Sequence, residues 1–329
     1  MVRVTSFLLR RLAQSVVIVL LASLIVFCLL RTGPGNPARM IAGGMATEET
    51  VEKIATEMGL RSPMLVQYFI YLKKVVLHGD FGTSFVRPKS GASAVAGGRA
   101  DDPTRAERAR VIDLILDRLP LTLQLAMMAM AIALSVSIPI GLFAGLHAGR
   151  WPDAAALMLS SVLVSMPNFW LAGILVLVVS IQLHWLPAVG YRDVTYSILP
   201  AIVLAIEIIP VLVRSLALSL GAMMSQNFVR IGLIRGLHPS QVIYHHAMKG
   251  ASVPLLNMLG VQLSALLGGV LVVEYIFDYP GLGALTIEAV LQRDFPLIQA
   301  IAMLTSAIFV VINILVDLLA GLIDPRLEY

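Results

Sequence analysis

QNFVRIGLIRGLHPSQVIYHHAMKG, residues 226–250, lies between two long apolar runs and carries Arg230, Arg235 and Lys249 with no acidic residue. Phe228, Ile231 and Arg235 recur at helical spacing, and Gly236 supplies the backbone freedom to end a first short helix. Pro239 fits the first turn of a second helix, where its missing N–H costs nothing. Val242, Ile243, His246 and Ala247 carry that helix on, with apolar residues mainly on one side. A basic helix–Gly–helix between apolar runs has two readings at this point. It is a docking element for a cytosolic partner, or a membrane-surface loop held by anionic lipid.

The flanking runs belong to a membrane protein. Of 329 residues, 58% are hydrophobic and 13% charged, and the mean hydropathy is +0.87. A soluble domain is nearer half apolar and a quarter charged. Outward from the loop, apolar segments run over about 198–220 and 254–277, then 154–181, 121–146, 12–30 and 296–323. Each is near or above the roughly 20 residues a helix needs to cross a bilayer. The sequence thus predicts an all-α integral membrane protein with six transmembrane helices. Pro139 and Pro167 fall inside the second and third and predict kinks, which neighbouring helices can satisfy. Cys28, the single cysteine, lies inside the first run, excludes an internal disulfide and reads as packing.

Lys and Arg outside the spans divide unevenly. One side collects Arg3, Arg10, Arg11, Arg150, Arg230, Arg235, Lys249 and Arg326, and the short loops of the other hold Arg192 and Arg293. This asymmetry puts both termini and the 226–250 loop in the cytosol. A basic flank before an apolar run also describes a signal peptide, but the run is long enough to span and no convincing small-residue cleavage site follows. The expected organisation is a cytosolic N-terminus with the first helix over 1–32, an external loop over 33–118, and a five-helix core over 119–329 containing the cytosolic loop 222–253. In the external loop, Thr47 can cap a helix to about Met58, closed by Gly59, and Pro63 opens an amphipathic stretch ended by His78-Gly79. Arg87 to Arg110, rich in Gly, Ala and charge, is too polar to build a core and is expected to be a mobile linker.

No G-x-x-x-x-G-K-[ST] occurs, so no P-loop cradles a nucleotide, and energy must come from a partner or an ion gradient. Neither G-x-S-x-G, H-E-x-x-H nor a pair of intramembrane carboxylates supports a hydrolase, and no basic tract is dense enough for nucleic acid. No catalytic residue and no metal ligand is assigned. His245-His246 is the one histidine cluster, and adjacent helical residues point to different faces, which suits interface residues better than a metal. Glu207, Arg214, Glu274 and Asp317 are the ionisable residues inside the spans, each costing about 2.5–3.5 kcal/mol at a helix centre. Arg214 lies near the cytosolic end of its helix and is expected to snorkel. Glu274 and Asp317 read as helix-packing or gate-bonding groups more often than as ligands. Glu207 stands roughly 15 Å into its helix, near the midplane, and so faces the bundle or a pathway.

Residues 226–250 resemble the EAA loop of ATP-binding-cassette importer permeases. Against the general motif, Arg230 takes the Glu position, Ile231 and Gly232 the two Ala positions, and Gly236 the glycine, with His246, Met248 and Lys249 at the Ile, Leu and Pro positions. The peptide-permease branch is matched in register at Asn227-Phe228-Val229-Arg230, Gly236-Leu237, His246-Ala247 and Pro254. The resemblance continues through Leu9-Arg10-Arg11-Leu12, Pro34-Gly35-Asn36-Pro37, Gly79-Asp80-Phe81-Gly82 and Met166-Pro167-Asn168-Phe169-Trp170. It extends to Val273-Glu274-Tyr275-Ile276-Phe277, Pro280-Gly281-Leu282-Gly283, Arg293-Asp294-Phe295-Pro296 and Asp324-Pro325-Arg326. The Arg87–Arg110 stretch has no counterpart in the usual pattern.

The resemblance implies the type I importer permease fold (MetI-like), six helices with a large external loop between the first two, in a bacterial inner membrane. It implies a non-catalytic subunit that forms the translocation path with a second homologous permease. Two ATPase subunits would carry the ATP and Mg, this chain binding no cofactor, and an external solute-binding protein would deliver peptides or related solutes. Membrane lipid surrounds such a chain, and nucleic acid has no part. Nickel chelate, glutathione, opine and oligosaccharide importers share the pattern. Coupling to the ATPases falls on Arg230, Gly232, Arg235, Gly236, Leu237, His238, Pro239 and Ser240, and the path on Glu207, Asn168 and Glu274. For Glu207 a path-lining role that favours cationic solutes and a hydrogen bond to the partner permease stand level. A salt bridge to Arg214, seven residues on and roughly 10 Å along the axis, ranks behind them. The rival class is an ion-gradient-driven secondary transporter, which needs midplane coupling carboxylates and no docking loop.

Overall fold

The computed structural model describes residues 2–32, 38–39, 46–57, 60–88, 108–243 and 247–323. In chain order the elements are α1 (Val2–Thr32), α2 (Glu48–Glu57), α3 (Met64–His78), β1 (Thr83–Pro88), β2 (Arg108–Arg110), α4 (Val111–Leu146), α5 (Trp151–Val164) and α6 (Asn168–Leu175). There follow a π-helical stretch (Val176–Gln182), α7 (Thr195–Met224), α8 (Asn227–Ile234), α9 (Pro239–Val242), α10 (Met248–Ile276), α11 (Leu282–Leu291) and α12 (Phe295–Ile323). Among the described residues five helices are long and apolar enough to cross a membrane, and α5 with α6 and the π-helical stretch makes a sixth if that pair counts as one span.

The expected continuous third helix is broken, the two halves meeting at 94°. Pro167 is the cause: it lacks an N–H and drives Met166 away from the helical region, so α5 closes on short bonds from Ser165 N to Val162 O and Met166 N to Leu163 O. The expected kink is therefore a full break. The second span begins earlier than its apolar run at 121, because Val111 and Ile115, one turn apart, are both buried and extend the helix toward its N-terminus.

The chain divides into two compact units, Met1–Pro120 with Leu285–Ile308, and Leu121–Ala284 with Phe309–Tyr329. In the first, Phe27 of α1 meets Tyr68 and Tyr71 of α3, with ring centroids 5.5 and 6.4 Å apart, and the Tyr68 hydroxyl donates to Leu20 O at 2.8 Å. Gly79, at φ 61, ends α3 in the left-handed conformation expected of it. Thr47 Oγ1 accepts from Thr50 N at 3.4 Å at the start of α2, where its cap was expected. Met58 and Gly59 lie outside the described residues, as do 89–107 of the expected linker. The linker's ends are not linker at all, since β1 and β2 pair antiparallel. Asp294, buried at the head of α12, holds β1 by accepting from the Ser84 hydroxyl and from Phe85 N (3.0 Å), and Arg87 pairs with Glu288 of α11.

In the second unit α7 is central, burying Leu199, Leu204, Ile208, Leu212, Leu216 and Leu220. Helix α4 comes against it through Gly141 and Gly145, four residues apart. A Cβ on Gly145 would stand 2.9 Å from Leu220 Cβ and 3.0 Å from Ala217 O. Glycine is what lets two backbones approach this closely in a membrane, where packing rather than water drives association. On the far side of α10, Gly260 lies against Val316 of α12, and Asn313 Nδ2 donates to Ser264 Oγ at 3.2 Å.

A polar lock closes the α10–α11 turn. Glu274 is fully buried, and its carboxylate accepts from Thr122 Oγ1 (2.7 Å), Gly283 N (2.7 Å) and Ala284 N (3.2 Å). Thr122 of α4 in turn accepts from Leu282 N at 2.8 Å. The opening amides of α11, orphans of any helix start, are thus answered by a carboxylate that also suits the positive end of the helix. Gly281 and Gly283 admit it, because a Cβ on the first would overlap the carboxylate and on the second the Leu271 backbone. Glu274→Ala should lower the thermal midpoint of the solubilised protein more than Thr122→Ala, each stranded buried amide costing about 1–3 kcal/mol. Glu274→Gln, which still accepts, should fall between Glu274→Ala and wild type. An unchanged midpoint for Glu274→Ala would refute the lock.

Candidate functional site

Residues 226–250 form the expected pair of short helices. Gly236, at φ 82, turns the chain after α8, with Arg235 N bonded to Ile231 O (3.0 Å) and Leu237 N to Gly232 O (3.2 Å). Nothing lies within 4 Å of a Cβ added to Gly236, so the glycine answers to its backbone angle and not to crowding within the chain. Gly232 answers to packing instead: a Cβ there would stand 3.2 Å from Val242 Cγ2, so α8 and α9 close on each other across it. Val229 and Val242 are buried between them, while Ile231, Ile234, Arg235, Leu237 and His238 are exposed, Ile234 at 85%. The side chains of Arg230, Pro239 and Ser240, and all of residues 244–246 with His245 and His246, lie outside the described ones.

The base of this hairpin is keyed to the bundle. Ala247 and Ala251, at the start of α10, pack with Leu216 and Leu220 of α7. A Cβ on Gly250 would stand 2.6 Å from Met223 Sδ, so the entry to α10 runs tight along the end of α7.

The second group of expected residues lies on α7 itself. Glu207 is exposed on this chain and accepts a 2.7 Å hydrogen bond at Oε2 from Asn168 Nδ2. Because a carboxylate only accepts, the amide nitrogen of Asn168 must face it. The break at Pro167 places Asn168 there, on the opening turn of α6, whose positive end favours the nearby charge. Gly269 of α10 lies alongside, its absent Cβ 3.5 Å from Oε2. Two of the three residues expected on a path are therefore bonded to each other. Glu207 takes its bond from Asn168 in the same chain, and among the described residues no ion pair joins it to Arg214. Glu274 lies elsewhere, its carboxylate enclosed and engaged at the head of α11.

Arg214, expected to snorkel, lines a cavity of about 660 Å³ between α5, α7 and α10. Ser160, Ser161, Ser215 and Ser219 share that wall. The small-xxx-small pair Gly141–Gly145 was likewise open to sequence reading, through its spacing. The serines were not, since they become neighbours only once α5 lies against α7.

Two family models match this chain. Residues 137–329 match the binding-protein-dependent transport system inner membrane component, and residues 4–126 the N-terminal membrane component of the same systems. A Sinorhizobium fredii protein named as a peptide ABC transporter permease, y4tP, is 34% identical over 331 residues, covering 98% of this chain and 99% of its own. A Brucella abortus protein named as a peptide transport system permease is 35% identical over 333 residues, covering 99% of each. The glutathione transport system permease GsiC of Salmonella typhi is 33% identical over 324 residues, covering 98% and 99%. Among solved structures, the inward-facing methionine ABC transporter MetNI superposes with a TM-score of 0.55 at 13% identity, over 65% of this chain and 98% of that one, a likeness of fold alone. Matched along nearly its whole length, the chain belongs to the family of binding-protein-dependent transport system inner membrane components, and is a non-catalytic, membrane-spanning subunit.

Proposed function

We propose that this chain is the permease of an ABC importer for peptides or closely related small solutes, driven through the hairpin of α8 and α9. The observation that carries the reading is that hairpin, a helix–Gly–helix with exposed Ile231, Ile234, Arg235 and Leu237 whose base is packed on both α7 and α10. An apolar, basic face of this kind suits a cleft on an ATPase subunit, and Gly232 and Gly236 set its shape. A push there moves the ends of α7 and α10 together. Helix α7 carries Glu207 and α10 runs beside it, so the movement reaches the polar face from which a path is built. A second homologous permease would complete the path, with two ATPases binding ATP and Mg on one side and a solute-binding protein on the other. The names of the relatives favour peptides and keep glutathione close.

Coupling is tested at the turn. Gly236→Val places a β-branched residue at φ 82, which such residues adopt only under strain. ATP-driven uptake should fall about five- to thirtyfold, equivalent to the roughly 1–2 kcal/mol a left-handed residue costs, while Gly236→Asn, tolerant of that region, should retain most of it. Normal transport by a Gly236→Val complex that keeps its ATPases would remove this loop from the mechanism.

Orientation is tested separately. The Lys and Arg distribution puts both termini and α8–α9 in the cytosol and residues 33–118 outside. Single cysteines at exposed Glu49 and Gln241, in a Cys28→Ser background, should label from opposite faces in intact cells and inverted vesicles. Labelling of both from one face would overturn the topology.

Glu207 is assigned to the path, held by Asn168 and preferring solutes with a positive group. Glu207→Gln should slow uptake of a lysine-containing peptide several-fold more than that of a neutral one. Equal slowing of both would make the carboxylate a packing group.

A further inference from the structure

Arg214 stands seven residues after Glu207 on α7, hence on the same face and roughly 10 Å further along the axis. Its guanidinium is exposed on this chain and finds no acceptor among the described residues. Ser160 and Ser161 of α5 and Ser215 and Ser219 of α7 share its cavity, and Val164, Pro210, Val211, Leu218 and Met258 complete the lining. Ser161 gives its proton to Leu157 O at 2.9 Å, while the hydroxyls of Ser160, Ser215 and Ser219 make no hydrogen bond among the described residues and line the same cavity as the cation. An arginine serving only to reach lipid headgroups needs no such wall. Hydroxyls on two helices around an unanswered guanidinium describe a site for an anion.

We propose that Arg214 and these serines form a carboxylate subsite of the translocation path, and that with Glu207 they hold a short zwitterionic peptide by its two ends in transit. The inference rests on the peptide-importer reading above. Guanidinium meets carboxylate as a two-pronged fork, a geometry that a lone ammonium cannot supply. At the other end Glu207 keeps Oε2 on Asn168, and Oε1 meets no donor among the described residues, so it is available to an ammonium group. The spacing fits, because an extended residue spans about 3.3–3.6 Å and three of them about 10 Å. A site this open holds weakly, as a path must if the solute is to leave it.

The test uses the assembled complex in proteoliposomes, its binding protein saturated in turn with trialanine, trialanine amide and N-acetyltrialanine. That protein is common to all assays, so differences between permease variants arise in the permease. Arg214→Gln should lower the preference for trialanine over its amide about tenfold, the low end for a hydrogen-bonded charge, and leave the preference over the N-acetyl form as in wild type. Glu207→Gln should do the reverse, and Arg214→Lys, which keeps the charge but not the fork, should fall between Arg214→Gln and wild type. Should Arg214→Gln fail to assemble, Ser215→Ala and Ser219→Ala together must lower the same acid-over-amide ratio, and an unchanged ratio overturns the subsite. Equal slowing of trialanine and its amide by Arg214→Gln makes Arg214 a structural contact, and no change in either leaves it facing lipid; both overturn the proposal. Wild-type complex that moves none of the three probes would overturn the peptide reading itself, and the subsite with it.

Discussion

Hydrocarbon offers a buried amide or carboxylate no partner, so polar groups within these spans must be answered by one another. The lock at Glu274 shows how completely this is done. One carboxylate takes Thr122 from α4 and two amides from the start of α11, and Thr122 takes a third. Three helices are fixed at a single point, and the glycines of Pro280-Gly281-Leu282-Gly283 are required because the carboxylate occupies the space of a side chain at Gly281 and the Leu271 backbone that of one at Gly283. Nearby, the Tyr279 hydroxyl reaches Leu121 O (3.3 Å) and Ser197 Oγ (3.1 Å), and its ring meets Tyr191 edge-on, adding α7 to the same end of the unit.

Toward the other end of α7 the helices are held by closeness instead. Gly141 and Gly145 bring α4 onto Leu216, Ala217 and Leu220, and Gly221 faces Ala148 with room for little more than a methyl group. Side chains interlocked at van der Waals distance have few intermediate positions, so they move as a body or not at all. That stiffness is what a coupling element needs at its base. The hairpin of α8 and α9 joins the bundle where Ala247 and Ala251 meet Leu216 and Leu220, the leucines already gripped by α4. On the proposed reading, force entering at Leu237 and His238 is passed to α7 at this tightly packed corner.

Much of this was legible in the sequence, for identifiable reasons. Span number followed from run length, and the hairpin from Gly236 and Pro239, because both rest on local rules: how far a helix reaches, and which residues tolerate a positive φ or lack an N–H. Pro167 announced a disturbance but not its size. A 94° break depends on whether neighbours answer the freed backbone groups, which no local pattern records. The linker from Arg87 to Arg110 looked uniform in composition, yet its ends pair as strands because Asp294, some two hundred residues away, anchors Ser84 and Phe85. For Glu207 the sequence supplied depth and face. Its bond to Asn168 depends on where the broken helix sends the next turn, so the partner was invisible while its need for one was not.

The same reasoning bears on why Glu207 and Arg214 remain two separate charges. Seven residues place them on one face but two turns apart, and among the described residues no ion pair joins them. Each would cost about 2.5–3.5 kcal/mol at a helix centre facing lipid. One hydrogen bond from Asn168 answers part of the carboxylate, and the cavity offers the guanidinium four serines among mainly apolar neighbours but no counter-charge. Two opposite charges kept apart on one exposed face are stable only if what covers that face is itself polar. On the proposed reading, a second permease together with water and solute meets that condition, and an acyl chain does not. On the same reading, the separation that looks like a defect in a lone chain keeps the face attractive to a molecule charged at both ends, without either charge being quenched by the other.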